Sequence, residues 1–223
     1  MALPEYENLA GTSRSQTPRE LLNLPIVEES AATGEVAALF QHFRSHFGRP
    51  DVPGILKCFA THPPLLRHMM DLSESLIFAD GHLGRKHKEM VATFVSEQNS
   101  CPYCVDSHAY FLRVHGGSAE ALNAIRTSHL DSPFLTASEQ ALLLFVRKVN
   151  QSSHQIEPTD DDLLRQAGWS DSQIAEAIHV AALFATFNRV ANAFGLRSQG
   201  MLALYMNNSD APHQGATTER KPG

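Results

Sequence analysis

At 223 residues the chain has room for one domain with a substantial core, or for two small ones. Apolar residues make up 43% and charged residues 19%, an ordinary balance for a soluble protein. A formal charge of −6 argues against nucleic acid or an anionic membrane surface as a partner, and no run of about 18 apolar residues predicts a membrane-spanning helix. The opening Met1-Ala2-Leu3-Pro4-Glu5-Tyr6 lacks a signal-peptide core, and three cysteines are too few for a disulfide framework. A reducing cytoplasm is the expected compartment.

Residues 1–20 read as a flexible N-terminal arm, because Gly11, Thr12, Ser13, Ser15, Thr17 and Pro18 leave little apolar surface to bury. The domain proper is expected over residues 21–206, followed by a disordered tail over 207–223. Val36, Leu39, Phe40, Phe43 and Phe47 follow helical spacing up to Gly48. His42 and His46 lie one turn apart there, but no third ligand accompanies them, so they are assigned to a solvent-facing side. Asp51-Val52-Pro53-Gly54 reads as a turn, and Cys58 beyond it as packing. A helix opening at Pro63-Pro64 carries the stripe Leu65, Leu66, Met69, Leu72, Leu76 and Ile77. The next helix, from Arg85 to Gln98, has Glu89 near its start and Met90, Val91, Phe94 and Val95 toward the core.

The chemistry concentrates in Ser100-Cys101-Pro102-Tyr103-Cys104-Val105-Asp106-Ser107-His108. Ser100 reads as an N-cap and Pro102 suits a first helical turn, so a helix is expected from Cys101 to a stop at Gly116-Gly117. At about 100° per residue, Cys101, Cys104 and His108 fall within an arc of roughly 60°. Both sulfurs then lie where unpaired N–H groups and the helix dipole favour a thiolate, the nucleophilic form. His108, one turn past Cys104, is near enough to exchange a proton with its sulfur. The pattern reads as a redox dithiol. A structural zinc site would need four ligands, and only Cys58 remains beyond the pair. Two plain core cysteines would explain neither the cap nor the histidine. Glu97 and Asp106 read as solvated charges.

The second half is helical throughout. Thr136-Ala137-Ser138-Glu139 is a capping box ahead of Leu142, Leu143, Phe145, Val146 and Val149. Thr159 is expected to cap a short acidic helix ending at Gly168. Ser170-Asp171-Ser172-Gln173 opens a long helix through Ile174, Ile178, Ala181, Ala182, Phe184 and Ala185 to Gly195. Its alanines permit close helix contact, which makes it central or a subunit interface. His179 on it is assigned to the interior, and Asn188 and Asn192 to bonds with other helices. With no strand alternation and no glycine-rich phosphate loop, the fold class is all-α.

The segment from 85 to 116 resembles the core of the alkylhydroperoxidase D (AhpD) and carboxymuconolactone decarboxylase superfamily, and in particular its peroxidase-related branch. The residues that carry the resemblance are Arg85-Lys86-His87-Lys88-Glu89-Met90-Val91, the connecting apolar helix, Cys101-Pro102-Tyr103-Cys104 and His108. The match is specific over this segment and weaker over residues 20–200. It implies an AhpD-like helical bundle. In AhpD proteins a glutamate twelve residues before the first cysteine joins both cysteines and the histidine in a proton relay, and Glu89 has that spacing. Alone, Glu89 reads as a first-turn glutamate held by the helix dipole. Facing the dithiol across an apolar gap, its pKa would be raised. The family's second cysteine attacks peroxide, which points to Cys104, with Cys101 as the resolving thiol. The AhpD prototype has histidine just before that cysteine, whereas this chain has Tyr103, as is common in the peroxidase-related branch. The decarboxylase side generally lacks the cysteine pair.

The resemblance implies a cofactor-free thiol peroxidase acting on organic hydroperoxides and recycled by a dithiol reductant, such as a lipoyl-bearing or thioredoxin-like protein. It also implies a homo-oligomer, a trimer or hexamer. A dithiol-disulfide oxidoreductase or redox sensor acting on protein partners is the alternative within the same fold. A non-enzymatic metal-binding helical protein using Cys101, Cys104 and His108 is the alternative outside it, and lactone decarboxylation is a distant one.

Overall fold

Residues 22–209 are described by a computed structural model, and among them there are ten α-helices and no strand, in agreement with the all-α reading. The expected arm over residues 1–20 and the part of the expected tail beyond Ser209 lie outside the described residues. The helices are α1 (Gly34–Phe47), α2 (Gly54–Phe59), α3 (Pro63–Ser73), α4 (Arg85–Gln98), α5 (Pro102–Val114), α6 (Ala119–Arg126), α7 (Ala137–Ser152), α8 (Pro158–Gln166), α9 (Asp171–Phe194) and α10 (Met201–Ser209). Local signals end and begin most of them. Gly48 stops α1 with φ +63°, two prolines open α3, and reciprocal capping boxes open α7 at Thr136–Glu139 and α9 at Ser170–Gln173. The acidic α8 is capped by Glu157 reciprocating with Asp160, not by Thr159, because Pro158 takes the first helical position. Three helices went unmarked in the sequence: α2, α6 and α10. Each is short, at six, eight and nine residues, and is held by packing rather than propensity.

The middle of the molecule is α4. Every residue from Lys88 to Ser96 is buried, because α5, α9, α6 and α7 enclose the helix. Its apolar side chains alone do not announce this position, since Lys88, Glu89, Thr93 and Ser96 go inside with Met90, Val91, Phe94 and Val95. Each buried polar group must therefore find a partner within the protein. Lys88 Nζ meets Glu176 Oε1 of α9 at 2.7 Å and donates to the Ala79 carbonyl at 3.1 Å. The other Glu176 oxygen accepts the backbone N–H groups of His82 and Leu83 at 2.6 and 2.7 Å. One ion pair thus ties α4, α9 and the loop between α3 and α4. Gly81 is required in that loop because a Cβ there would stand 2.1 Å from Glu176 Oε1.

By length and composition α9 would be apolar enough to cross a membrane. In this fold it is a core helix. Ala177, Val180, Ala181, Phe184 and Ala191 are buried, and the small residues allow the close approach of α4 that the sequence suggests. The end of the connection from α9 to α10 is settled by Asp106 on α5. Expected as a solvated charge, Asp106 is buried and accepts three backbone N–H groups, from Gln199, Met201 and Leu202 at 2.9, 3.0 and 3.0 Å. The unpaired amides at the start of α10 supply the reason, since an anion satisfies them best. This bond fixes the segment that lays Gln199 and Met201 against the candidate site.

Replacing Lys88 by methionine would leave the Glu176 carboxylate buried without its cation. We expect Lys88→Met to lower unfolding stability by about 3–5 kcal/mol in urea denaturation, whereas a loss below about 1 kcal/mol would show the pair to be dispensable.

Candidate active site

The site is built on the corner between α4 and α5. Ser100 turns the chain with φ +51°, its N–H returning to Glu97 O and the Cys101 N–H to Ser96 O. These are the two bonds of a Schellman ending to α4, with serine where glycine is usual. Ser100 is therefore the last turn of α4 and not the cap of α5. Cys101 takes the cap position, and Pro102 follows as expected in the first turn.

The two sulfurs are 2.8 Å apart, and both thiols are free and buried. The Cys104 thiol bonded to it draws the Cys101 thiol below its ordinary value, against the cost of burial. The Cys101 thiol in turn raises Cys104, with burial and the negative charge of Cys101 adding to the effect. The pair thus loses one proton readily and its second only with difficulty. The amide of Asn188 on α9 pulls both thiols down. Asn188 is fully buried, donates to Ser96 Oγ at 2.9 Å and accepts from Asn99 Nδ2 at 3.0 Å. It does bond another helix, as read from the sequence, but it also borders the dithiol, which no local motif signals.

Glu89 lies one layer behind. Its Oε2 contacts His108 Nδ1 at 2.6 Å and its Oε1 accepts from Arg85 Nε at 2.7 Å. Glu89 therefore faces the histidine and an arginine, and not the sulfurs directly. Its pKa direction is also the reverse of the expectation. Burial pushes the carboxyl up, but His108 and Arg85 together more than offset it and hold Glu89 below the ordinary glutamate range. Arg85, one turn before Glu89, was given no site role from the sequence although the i,i+4 spacing marks it. A carboxylate bonded to Nδ1 fixes the tautomer with the proton on that nitrogen and leaves Nε2 as the acceptor. The His108 ring packs edge-on against Phe184 at 4.4 Å. Among the described residues no hydrogen bond joins this ring to either sulfur.

Cys104 and His108 share the wall of a cavity of about 110 Å³. Six phenylalanines, among them Phe47, Phe111 and Phe184, line it with Ile55, Leu56 and Ile77, and Tyr103, Arg49 and Gln199 also border it. Cys101 is not on this wall. It borders instead a more polar groove on the other side of the corner, with Glu97, Asp106 and Arg126. Glu97 is not a free charge there, since it pairs with Arg126 at 2.6 Å. Two other expectations separate from the site. His179, assigned to the interior, is exposed, because its position on α9 faces away from α4. His42 and His46 are exposed on α1 with stacked rings. Cys58 packs in a small cluster with Cys101, Tyr103 and Cys104, and burial raises its thiol to about 12. Among the described residues no group of three or more His, Cys, Asp or Glu side chains is arranged to hold a metal ion.

Residues 63–147, from the start of α3 into α7, match the carboxymuconolactone decarboxylase family. No curated protein matches the chain. Among solved structures, a peroxidase-related protein from Silicibacter sp. is 27% identical, with a TM-score of 0.70 over 81% of this chain and 94% of its own. A protein from Ralstonia eutropha, described as an AhpD-core peroxidase-related protein, is 24% identical, with a TM-score of 0.72 over 82% of this chain and 95% of its own. The debrominase Bmp8 shares the fold at 16% identity, with a TM-score of 0.65 over 82% of this chain and 95% of its own. Residues 63–147 are thus matched by the carboxymuconolactone decarboxylase family, and the all-helical bundle built around them has the fold of the AhpD-like, peroxidase-related structures.

Proposed function

We propose that the protein is a thiol peroxidase that reduces organic hydroperoxides through Cys104 and Cys101. The observation that carries this reading is the position of Cys104, bonded to a second thiol and facing an aromatic cavity beside a histidine oriented by a buried carboxylate. An apolar cavity of this lining favours the organic body of an alkyl or aryl hydroperoxide over water or hydrogen peroxide.

In this mechanism the pair first gives up one proton, with His108 Nε2 as the acceptor on the cavity wall. The proton left on the pair passes between sulfurs 2.8 Å apart, so the charge reaches Cys104 without leaving the dithiol. The Cys104 thiolate attacks the terminal oxygen of the hydroperoxide. The S–O bond forms, the O–O bond breaks, and the alcohol departs with the returned proton. Cys101 then attacks the Cys104 sulfenic acid, forming the disulfide and expelling water. A dithiol reductant, lipoyl-bearing or thioredoxin-like, restores both thiols. The polar groove beside Cys101, away from the cavity, supports the approach of a second molecule from that side. Glu89 is a positioning residue, holding the His108 tautomer rather than carrying the proton itself. We further propose a homo-oligomer, a trimer or hexamer, working in a reducing cytoplasm.

The direct test follows the thiols of reduced protein after one equivalent of cumene hydroperoxide, by mass spectrometry. Wild type should form the Cys101–Cys104 disulfide. Cys101→Ser should stop at a trappable sulfenic acid on Cys104, and Cys104→Ser should not react. Sulfenic acid trapped only on Cys101 would reverse the two roles. Thiols that stay reduced, but exchange rapidly with oxidised lipoamide, would replace the peroxidase by a disulfide oxidoreductase.

Glu89→Gln should lower kcat/KM for cumene hydroperoxide by about 10–100-fold, the usual cost of losing a carboxylate behind a working histidine. It has a separate signature in stability. A carboxyl depressed in the folded state adds stability above its unfolded pKa and loses it as pH falls through the folded value. The stability gap between wild type and Glu89→Gln should therefore be widest near neutral pH and close below about pH 4. A gap that widened on acidification would contradict the depressed carboxyl.

A further inference from the structure

Tyr103 stands between the two cysteines and has no role in the chemistry above. The residue is 5% exposed, so the phenol is almost wholly inside the protein. The hydroxyl oxygen accepts the Ile55 N–H at 3.3 Å, and the start of α2 closes over it, with Gly54 leaving only 3.6 Å to a Cβ position. That bond occupies a lone pair of the oxygen and leaves the O–H proton to be placed. Among the described residues no acceptor receives it. Tyr103 also lines the cavity shared by Cys104 and His108, whose walls are largely apolar, with Arg49, Ser107 and Gln199 among the polar residues at its border. A buried O–H whose oxygen is held by a backbone N–H, on a residue that lines the cavity, is a preorganised hydrogen-bond donor.

Peroxide cleavage creates the need for one. When the sulfur takes the terminal oxygen, the electron pair of the O–O bond moves to the alkyl-side oxygen, which leaves as an alkoxide. An alkoxide in a largely apolar cavity is strongly disfavoured unless something donates to it. His108 has taken a proton from the dithiol, and its ring is tied to Glu89 at the other nitrogen. We propose that the Tyr103 hydroxyl donates a hydrogen bond to the alkyl-side oxygen of the hydroperoxide and stabilises the charge that builds there as the O–O bond breaks. The proton that makes the alcohol is the one released by the thiol, so thiol and hydroperoxide become sulfenic acid and alcohol with no other reactant. Burial raises the phenol well above its ordinary value, which keeps Tyr103 protonated and a donor at every working pH.

This inference rests on the peroxidase reading, and a leaving-group comparison separates the two. Wild type and Tyr103→Phe would be reacted with tert-butyl hydroperoxide, peracetic acid and iodoacetamide, following thiol loss by stopped flow. The first expels an alkoxide, the second a carboxylate that carries its own charge well, and the third iodide, which needs no donor. Tyr103→Phe should slow the tert-butyl hydroperoxide reaction by about 100-fold, the scale of one lost oxyanion donor, and leave the other two within a few-fold. Equal slowing with all three reagents, or no slowing with tert-butyl hydroperoxide, would overturn the role of Tyr103 while leaving the peroxidase intact. Wild type that is alkylated by iodoacetamide but inert to tert-butyl hydroperoxide would overturn the peroxidase reading itself. If the phenylalanine variant does not fold, wild type made with 3-fluorotyrosine supplies a stronger donor at the same place. It should react faster with tert-butyl hydroperoxide and no faster with iodoacetamide, and an unchanged hydroperoxide rate would again overturn the proposal.

Discussion

A central helix carrying charge is the constraint on which this structure depends. Because α4 is enclosed along Lys88 to Ser96, its polar side chains have no access to water and each must be met by a neighbour. Lys88 is met by Glu176, Glu89 by His108 and Arg85, Thr93 by the Glu89 carbonyl, and Ser96 by Asn188. These partners come from α5, α9 and α4 itself, so the same bonds that make the helix tolerable inside also set the positions of its neighbours. The site residues are part of this set. Asn188 holds the fold and borders the dithiol at once, while Glu89 holds the fold and the histidine beside the dithiol.

The dithiol owes its geometry to the corner rather than to helix dipole alone. A serine in the left-handed conformation ends α4, and the chain restarts at once with Cys101 as cap and Pro102 inside the first turn. Two helices joined this tightly place the first sulfur at the joint and the second one turn later, on the side that faces the cavity. The sulfurs consequently differ in surroundings although they touch. One borders a polar groove with a charged pair, the other an aromatic chamber. That asymmetry gives a chemically symmetrical pair two distinct surroundings, which is what the proposed division of roles between them requires.

Apolar cavity and polar relay meet at α5. Phe111 and Tyr103 look into the chamber, His108 reaches back to Glu89, and Asp106 on the opposite side holds the start of α10. A single helix thus carries the thiols, the histidine and the anchor for the segment that completes the wall. Disturbing its seat on α4 would alter all of these together, which agrees with the extensive contact between the two helices.

Much of this was legible in the chain itself. Local rules depend on neighbours within a few residues, so the capping boxes at Thr136 and Ser170, the proline start at Pro63 and the glycine stops at Gly48 and Gly195 could be read directly. The spacing of Cys101, Cys104 and His108 on one helix was legible for the same reason. What the sequence could not determine was which polar residues go inside, because burial is decided by elements far apart in the chain. Asp106 looked solvated until α10 packed over it, Glu89 looked like a carboxyl with a raised pKa until Arg85 and His108 were seen on its two oxygens, and His179 looked interior until α9 took its place. The sequence by itself determined most of the helices and the grouping of two thiols and a histidine on one of them. Only the tertiary structure decided their surroundings, because solvation and charge pairing belong to the assembled core and not to any stretch of chain.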